Sequence, residues 1–172
     1  DKKYFKRVSN ILIGSGDLAV QAMAEKAREL GYKPRTLSIG VSGLAMDLGR
    51  KMAQTVKPGE ALLACGETQV VVIRPGKGGR NQDVALSAAP FLEPDSAIVS
   101  AASDGRDNIP VAGAITDGTQ TMTLLRKRKI DPLTSVRNNA SYDALAKAGD
   151  LLQIKKVTAN VSDFMVAVRT HA

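Results

Sequence analysis

Apolar residues along this chain fall into short blocks that switch between a strand-like and a helix-like period. Val8 to Ile13 reads as a strand that runs into Gly14-Ser15-Gly16. From Asp17 to Leu30 the spacing becomes helical, with Ala19, Met23, Ala27 and Leu30 on one face and Glu25, Lys26 and Glu29 away from it. Gly31 suits the position after a helix end, and Pro34 follows as a stop. Arg35 to Ile39 is a second strand, Gly40-Val41-Ser42-Gly43 a turn, and Leu44 to Val56 a second helix broken by Pro58-Gly59. Ala61 to Cys65 and Val70 to Ile73 are apolar runs of strand length on either side of Gly66-Glu67-Thr68. A third helix spans about Asn81 to Phe91, and Ala97 to Ala101 is a further strand. Ser103 to Pro110 is polar and turn-rich, and Gly113 to Gly118 matches neither period. Thr119 to Lys129 is helical and ends at Ile130-Asp131-Pro132. Ser141 to Ala148 is a short helix with Asn139 as its candidate cap. Leu151 to Ile154 and Phe164 to Val168 read as closing strands. Strands alternating with helices predict an α/β fold, a three-layer αβα-type domain with a mixed sheet, with residues 1–172 forming a single unit.

Composition removes whole classes of chemistry. Formal net charge is +7, which suits nucleic acid or small anions alike. Three Tyr, three Phe and no Trp, all scattered, give no platform for stacking bases, so no nucleic acid partner is expected. The tract Arg126-Lys127-Arg128-Lys129 reads as a solvated helix end, where cations complement the dipole. No apolar run has membrane-span length and no signal-peptide pattern is visible, so no membrane partner is expected. The single cysteine, Cys65, rules out an internal disulfide and reads as a small buried residue near a strand end; a cytoplasmic location is expected. The one histidine is the penultimate residue, His171, which argues against a Ser-His-Asp or Cys-His site, and no Cys/His cluster suggests zinc. What remains is chemistry done by cations, carboxylates and backbone amides with Mg²⁺, and phosphoryl transfer fits that set.

The stretch that best fits such chemistry is Gly76-Lys77-Gly78-Gly79-Arg80-Asn81-Gln82, between an apolar run and a helix. Glycines let a backbone approach a ligand and adopt positive φ. The helix N-terminus offers free amides and partial positive charge, and Lys77 and Arg80 add two cations. The loop reads as a phosphate or carboxylate cradle or, more plainly, as a solvated turn. It is not a Walker A loop, whose residue order is missing. Gly14-Ser15-Gly16-Asp17-Leu18-Ala19 matches a dinucleotide fingerprint, but Asp17 would sit beside a pyrophosphate and Arg35 to Ile39 lacks the acid that holds a ribose. In Ser103-Asp104-Gly105-Arg106-Asp107-Asn108, Asp104 and Asp107 are candidate Mg²⁺ ligands or the acids of an Asx-type turn. Glu67 is either a turn residue or a third acid on the same cleft, and Asn160 and Asp163 form a similar polar loop before the last strand.

Taken together, Gly66-Glu67-Thr68, Gly76 to Gln82, Ser103-Asp104-Gly105 with Ala112-Gly113-Ala114, and Asn160-Val161-Ser162-Asp163 resemble the type II glycerate kinases (glycerate 2-kinases), and more closely their C-terminal region, the MOFRL domain. Ile13-Gly14-Ser15, the Ala-rich helix and Gly31-Tyr32 resemble the segment just upstream, so the likeness covers nearly the whole chain. The resemblance implies phosphorylation of D-glycerate at its 2-hydroxyl with ATP and Mg²⁺, in a cleft between two domains. It implies that Arg80 is the catalytic arginine, stabilising the transferring phosphoryl group. It places Gly76, Lys77, Gly78, Gly79, Asn81, Glu67, Thr68 and Asp104 among phosphate or substrate contacts.

This sequence departs from the family pattern at several points. Asp83 stands where the family has Glu, and Arg106-Asp107-Asn108-Ile109-Pro110-Val111 replaces a loop rich in Gly-Pro-Thr-Asp. Gly16 and Ala140 stand where Asn and an acid are expected. Nothing in residues 1–172 corresponds to the family's N-terminal Rossmann-like kinase domain with its catalytic lysine. The expectation is therefore the C-terminal domain of a glycerate 2-kinase, inactive alone, with the N-terminal domain as a partner in cis or in trans and a homodimer as a further option. An NAD(P)-dependent hydroxypyruvate reductase and a stand-alone anion-binding or partner-docking domain are the rivals.

Overall fold

A computed structural model describes residues 2–155 and 160–171. Among them lie six α-helices and one six-stranded mixed sheet. In chain order these are α1 (Gly16–Glu29), β1 (Lys33–Val41), α2 (Ala45–Thr55), β2 (Glu60–Gly66), α3 (Arg80–Ala88), β3 (Ser96–Ala102), β4 (Gly113–Asp117), α4 (Gln120–Lys127), α5 (Pro132–Arg137), α6 (Ser141–Ala148), β5 (Leu151–Leu152) and β6 (Asp163–Arg169). The sheet order is β1-β2-β6-β3-β4-β5. Only β1 and β2 pair in parallel; β6 enters antiparallel between β2 and β3 and closes the sheet from the far end of the chain.

The alternation of a strand assigns each face its helices. Ala61, Leu63 and Cys65 of β2 point to one side and pack on Val20 and Ala27 of α1. Leu62 and Ala64 point to the other, against Leu48 and Met52 of α2 and Val84 of α3. Ala85 and Leu86 of α3 continue that layer onto Leu125, Val136, Ala144 and Leu145 of α4, α5 and α6. The αβα layering expected from the sequence is therefore present, with α1 alone on its face.

Helix ends follow local chemistry. Ser15 caps α1 by accepting from the Leu18 amide, and Gly31 takes the left-handed conformation after its end at φ 85°. Residues 126–129 form the exposed end of α4, as read from the sequence, and Cys65 is buried at the end of β2.

Five expectations are corrected. Val8 to Ile13 is not a strand: it pairs with no strand of the sheet, and Ile11, Leu12 and Ile13 are exposed. Val70 to Ile73 is also irregular. Asn139 supplies the partners that a ladder would have given, accepting from the Ile73 and Arg74 amides and donating to the Val71 carbonyl. Asn139 is consequently not the cap of α6; it sits left-handed at φ 55°, one residue before the N-cap Ala140. Asp131-Pro132 not only follows a helix but starts another. Asp131 caps α5 through the Thr134 amide with Pro132 in the first turn, a helix the periodicity did not predict. Gly113 to Gly118, undecided in sequence, is β4, and the closing strand expected to reach Ile154 is the two-residue β5.

Helices α2 and α3 pack closely enough to require glycine at one point. A Cβ on Gly49 would lie 2.1 Å from the Val84 carbonyl oxygen and 2.4 Å from Ser87 Oγ. Gly49→Ala is expected to cost about 1–3 kcal/mol of stability by overpacking, read from urea denaturation midpoints at unchanged m-value. A loss below about 0.5 kcal/mol would contradict this contact.

Candidate functional site

The loops that stood out in the sequence meet at the N-terminus of α3. Gly79 precedes that helix and has no side chain to cap it. The cap comes instead from Asp107, 3% exposed, whose carboxylate accepts from the Gln82 amide and side chain at 3.0 Å each and from Asn81 Nδ2 at 3.4 Å. Asp107 is an anion built into the positive end of a helix. Burial nevertheless pushes its carboxyl above the usual range, with the amides of Gln82 and Asn81 pulling it back down. Asn81 is buried in turn and accepts from Ser100 Oγ of β3 at 2.6 Å.

The glycines have a packing reason different from the one expected. None of Gly76, Gly78 and Gly79 has positive φ. A Cβ would meet the Asn139 carbonyl at Gly76, Ser141 Oγ at Gly78 and the Asp107 carboxylate at Gly79, each within 2.3 Å. They let the loop lie flat on the start of α6 and on the capping acid. The Lys77 carbonyl accepts from the Tyr142 amide and the Gly78 carbonyl from Asn108 Nδ2, which ties the loop to two neighbours.

Arg80, the first residue of α3, is held on several sides. Its Nε and Nη2 donate to the two oxygens of Asp163 at 2.5 and 3.2 Å, and its Nη1 lies 3.3 Å from Glu67. Asp163, at the start of β6, is 1% exposed, whereas Arg80 is about one-third exposed. Asp163 raises the guanidinium pKa still further, so its charge is permanent. N–H groups on Nη1 and Nη2 stay available for a ligand.

Arg80 lines an open cleft of about 550 Å³, together with Thr68, Arg74, Gly76, Gly78, Gly79, Asp83, Arg106 and Asp107. Arg74 and Arg106 make no ion pair among the described residues, so their guanidinium groups are the lining cations not held by a carboxylate. Lys77 is exposed and is not part of this lining. Asp104 stands apart from Asp107, accepting from the Arg106 amide at 3.0 Å and from Asn160 Nδ2 at 3.4 Å, and joins the 103–108 turn to the 160–163 turn. Among the described residues no three His, Cys, Asp or Glu side chains group into a metal site.

The sequence reading did not single out two of these residues as site partners, Asp163 for Arg80 and Asp83 in the cleft wall. Asp83 is 3% exposed, and burial pushes its carboxyl up to about 7, with the nearby Asp107 charge adding to the rise. The Ser141 hydroxyl opposes the rise only in part, since neither Ser141 Oγ nor Asp83 Oδ1 makes a hydrogen bond of normal geometry. An acid following Asn-Gln was visible in the sequence; its burial was not.

With this geometry in hand, comparison with known proteins is specific. The profile of the MOFRL family matches residues 60–163. A glycerate 2-kinase of Pyrococcus horikoshii is 34% identical over 98% of this chain, and the match covers 41% of the kinase. A D-glycerate 2-kinase of Thermotoga maritima is 34% identical over 95% of this chain and 43% of its own length. The chain thus spans about two-fifths of the curated relatives it matches. The crystal structure of glycerate kinase from Thermotoga maritima superposes with a TM-score of 0.87 at 34% identity, covering 96% of this chain and 44% of that one.

Asp83 sets a measurable pH dependence. Its carboxyl takes up a proton near pH 7 when folded and near about 3.9 when unfolded. Between those values the native state binds more protons, so this group's contribution to stability falls as pH rises, by up to about 1.4 kcal/mol per unit. Asp83→Asn, permanently neutral, removes that term. The variant should therefore gain stability relative to wild type between pH 5 and pH 7; an unchanged difference in urea denaturation would contradict the assignment.

Proposed function

The chain belongs to the MOFRL family, and on that premise we propose that it supplies the C-terminal half of an ATP-dependent glycerate 2-kinase, which transfers a phosphoryl group to the 2-hydroxyl of D-glycerate. The observation that carries the reading is the orientation of Arg80, fixed by a buried carboxylate on the wall of a cation-lined cleft. Glu67 and Asp163 more than offset its charge, so Arg80 contributes directed N–H donors, and Arg74 and Arg106 add guanidinium groups that no carboxylate holds. Such preorganised donors stabilise charge that develops on a transferring phosphoryl group at no cost in reorganisation.

The remaining machinery lies outside this chain in the proposal. The relatives are more than twice as long, and an N-terminal kinase domain, in cis or in trans, would close the cleft and supply the catalytic lysine. Nucleotide and D-glycerate would bind between the two halves. Mg²⁺ would travel with the nucleotide phosphates and keep most of its waters. The described residues do not build a cation site by themselves: Asp107 is committed to α3 and Asp104 to a turn, and the role of Arg80 does not pass through the ion. A dinucleotide reductase is the weaker reading, because Gly14-Ser15-Gly16 follows no strand and Ser15 serves as a helix cap.

The test is D-glycerate phosphorylation by the polypeptide that carries this domain together with its N-terminal half, followed by ³¹P NMR. Arg80→Ala should lower kcat by about 10²–10³, and Arg80→Lys should not restore it, because an ammonium cannot reproduce the fork. Full activity in Arg80→Ala would contradict the proposed role. Absence of phosphorylation in the wild type would contradict the kinase reading.

A further inference from the structure

The 70–76 segment has the apolar composition of a strand and none of its pairing. Backbone bonds fix its two ends. The Gln69 amide donates to the Gly43 carbonyl and the Gln69 carbonyl accepts from the Ala45 amide; at the other end the Lys77 carbonyl accepts from the Tyr142 amide. Between those anchors, among the described residues, every hydrogen bond runs to one side chain. Asn139 Oδ1 accepts from the Ile73 and Arg74 amides at 3.0 and 3.2 Å, and its Nδ2 donates to the Val71 carbonyl at 3.1 Å. Val70 packs on the core, but Val71, Val72 and Ile73 are 61%, 75% and 62% exposed, so burial adds little further hold.

The backbone at position 139 asks for a different residue. Asn139 follows the C-cap of α5 in a Schellman turn, its amide donating to the Val136 carbonyl and the Ala140 amide to the Ser135 carbonyl. That turn sets φ at 55°, where glycine is the usual choice and asparagine the next. Glycine would serve the turn; only the asparagine side chain serves the 70–76 segment.

We propose that Asn139 is a positioning residue for anion recognition and acts through Arg74. The segment alternates: Val72 and Arg74 line the large cleft, whereas Val71 and Ile73 line the smaller apolar cavity beside it. The Arg74 guanidinium has no ion pair or hydrogen bond among the described residues, so its place on the cleft wall is set by its backbone. Asn139 holds that backbone at the Arg74 amide itself. Without the clamp the segment swings between its anchors, and an anion must order it before Arg74 can bind. Asn139 also lines the cleft, but Oδ1 and one N–H are already spent on the segment. The proposal rests on the cleft being an anion site and adds to it the residue that holds one wall in place.

The test uses the 172-residue chain, inorganic phosphate as the probe, ¹⁵N NMR titration read at the Gly78 and Gly79 amides, and amide hydrogen exchange. Asn139→Gly keeps the turn and removes the clamp. It should speed exchange at Ile73 and Arg74 while Ala140 and Tyr142 stay protected, and should weaken phosphate binding about tenfold. Asn139→Asp, which keeps an acceptor oxygen, should leave the Ile73 and Arg74 amides protected. A merely structural role would not depend on Arg74. With Arg74→Ala already in place, Asn139→Gly should therefore change phosphate affinity by less than about twofold. Unchanged affinity in Asn139→Gly, an equal loss with and without Arg74, or unprotected Ile73 and Arg74 amides in wild type or in Asn139→Asp would overturn this proposal alone. Failure of wild type to bind phosphate would overturn the cleft as an anion site, and this proposal with it.

Discussion

The Asp107 carboxylate beneath the first turn of α3 is the contact on which the rest of the site depends. It supplies the cap that Gly79 cannot, and that glycine is small because the carboxylate lies against it. It also holds Asn81 and Gln82 inward, which leaves Arg80 and Asp83 as the first-turn residues that line the cleft. From there the constraints spread: Asn81 accepts from Ser100 of β3, and Arg80 reaches Asp163 at the start of β6. One helix end is thus tied to two adjacent strands. A protein anion already holds the Gln82 amide at this helix end. A ligand anion must therefore be recognised chiefly by side chains, and the arginines provide that.

The architecture was largely legible in the sequence, because strands β1, β2, β3 and β6 and helices α1, α2, α3, α4 and α6 carry their periods and stops locally. The failures have a common cause. Val8 to Ile13 and Val70 to Ile73 have strand composition, but a strand exists only beside another, and the available partner for the second run is the side chain of Asn139, 66 to 68 residues away. Helix α5 was legible in principle from Asp131-Pro132, an N-cap followed by proline at the first position. The same dipeptide also ends a preceding helix, and only that half of the signal was used.

The site was legible as a set of loops and not as a geometry. Arg80 and the glycines were found from residue type and order and Thr68 from the family resemblance, and Arg80, Thr68, Gly76, Gly78 and Gly79 do line one cleft. Lys77 was grouped with them for its charge, yet sits outside the lining. The reason for the glycines is contact with Asn139, Ser141 and Asp107, which no local pattern encodes. Asp163 as the partner of Arg80 lies 83 residues away, and Asp83 is enclosed by residues of α2, α5 and the 68–73 segment, with Ser141 of α6 beside it. Chemistry that depends on long-range burial is the part a single sequence does not display.

Crystals of this domain soaked in tungstate, a tetrahedral oxyanion with a strong anomalous signal, give the most direct test of the central claim. The account predicts an anomalous peak in the cleft within hydrogen-bond reach of the Arg80 guanidinium and between Arg74 and Arg106. A peak confined to the exposed 126–129 end of α4, with the cleft empty, would contradict it and would mark Arg80 and its carboxylate partners as a structural ion-pair network.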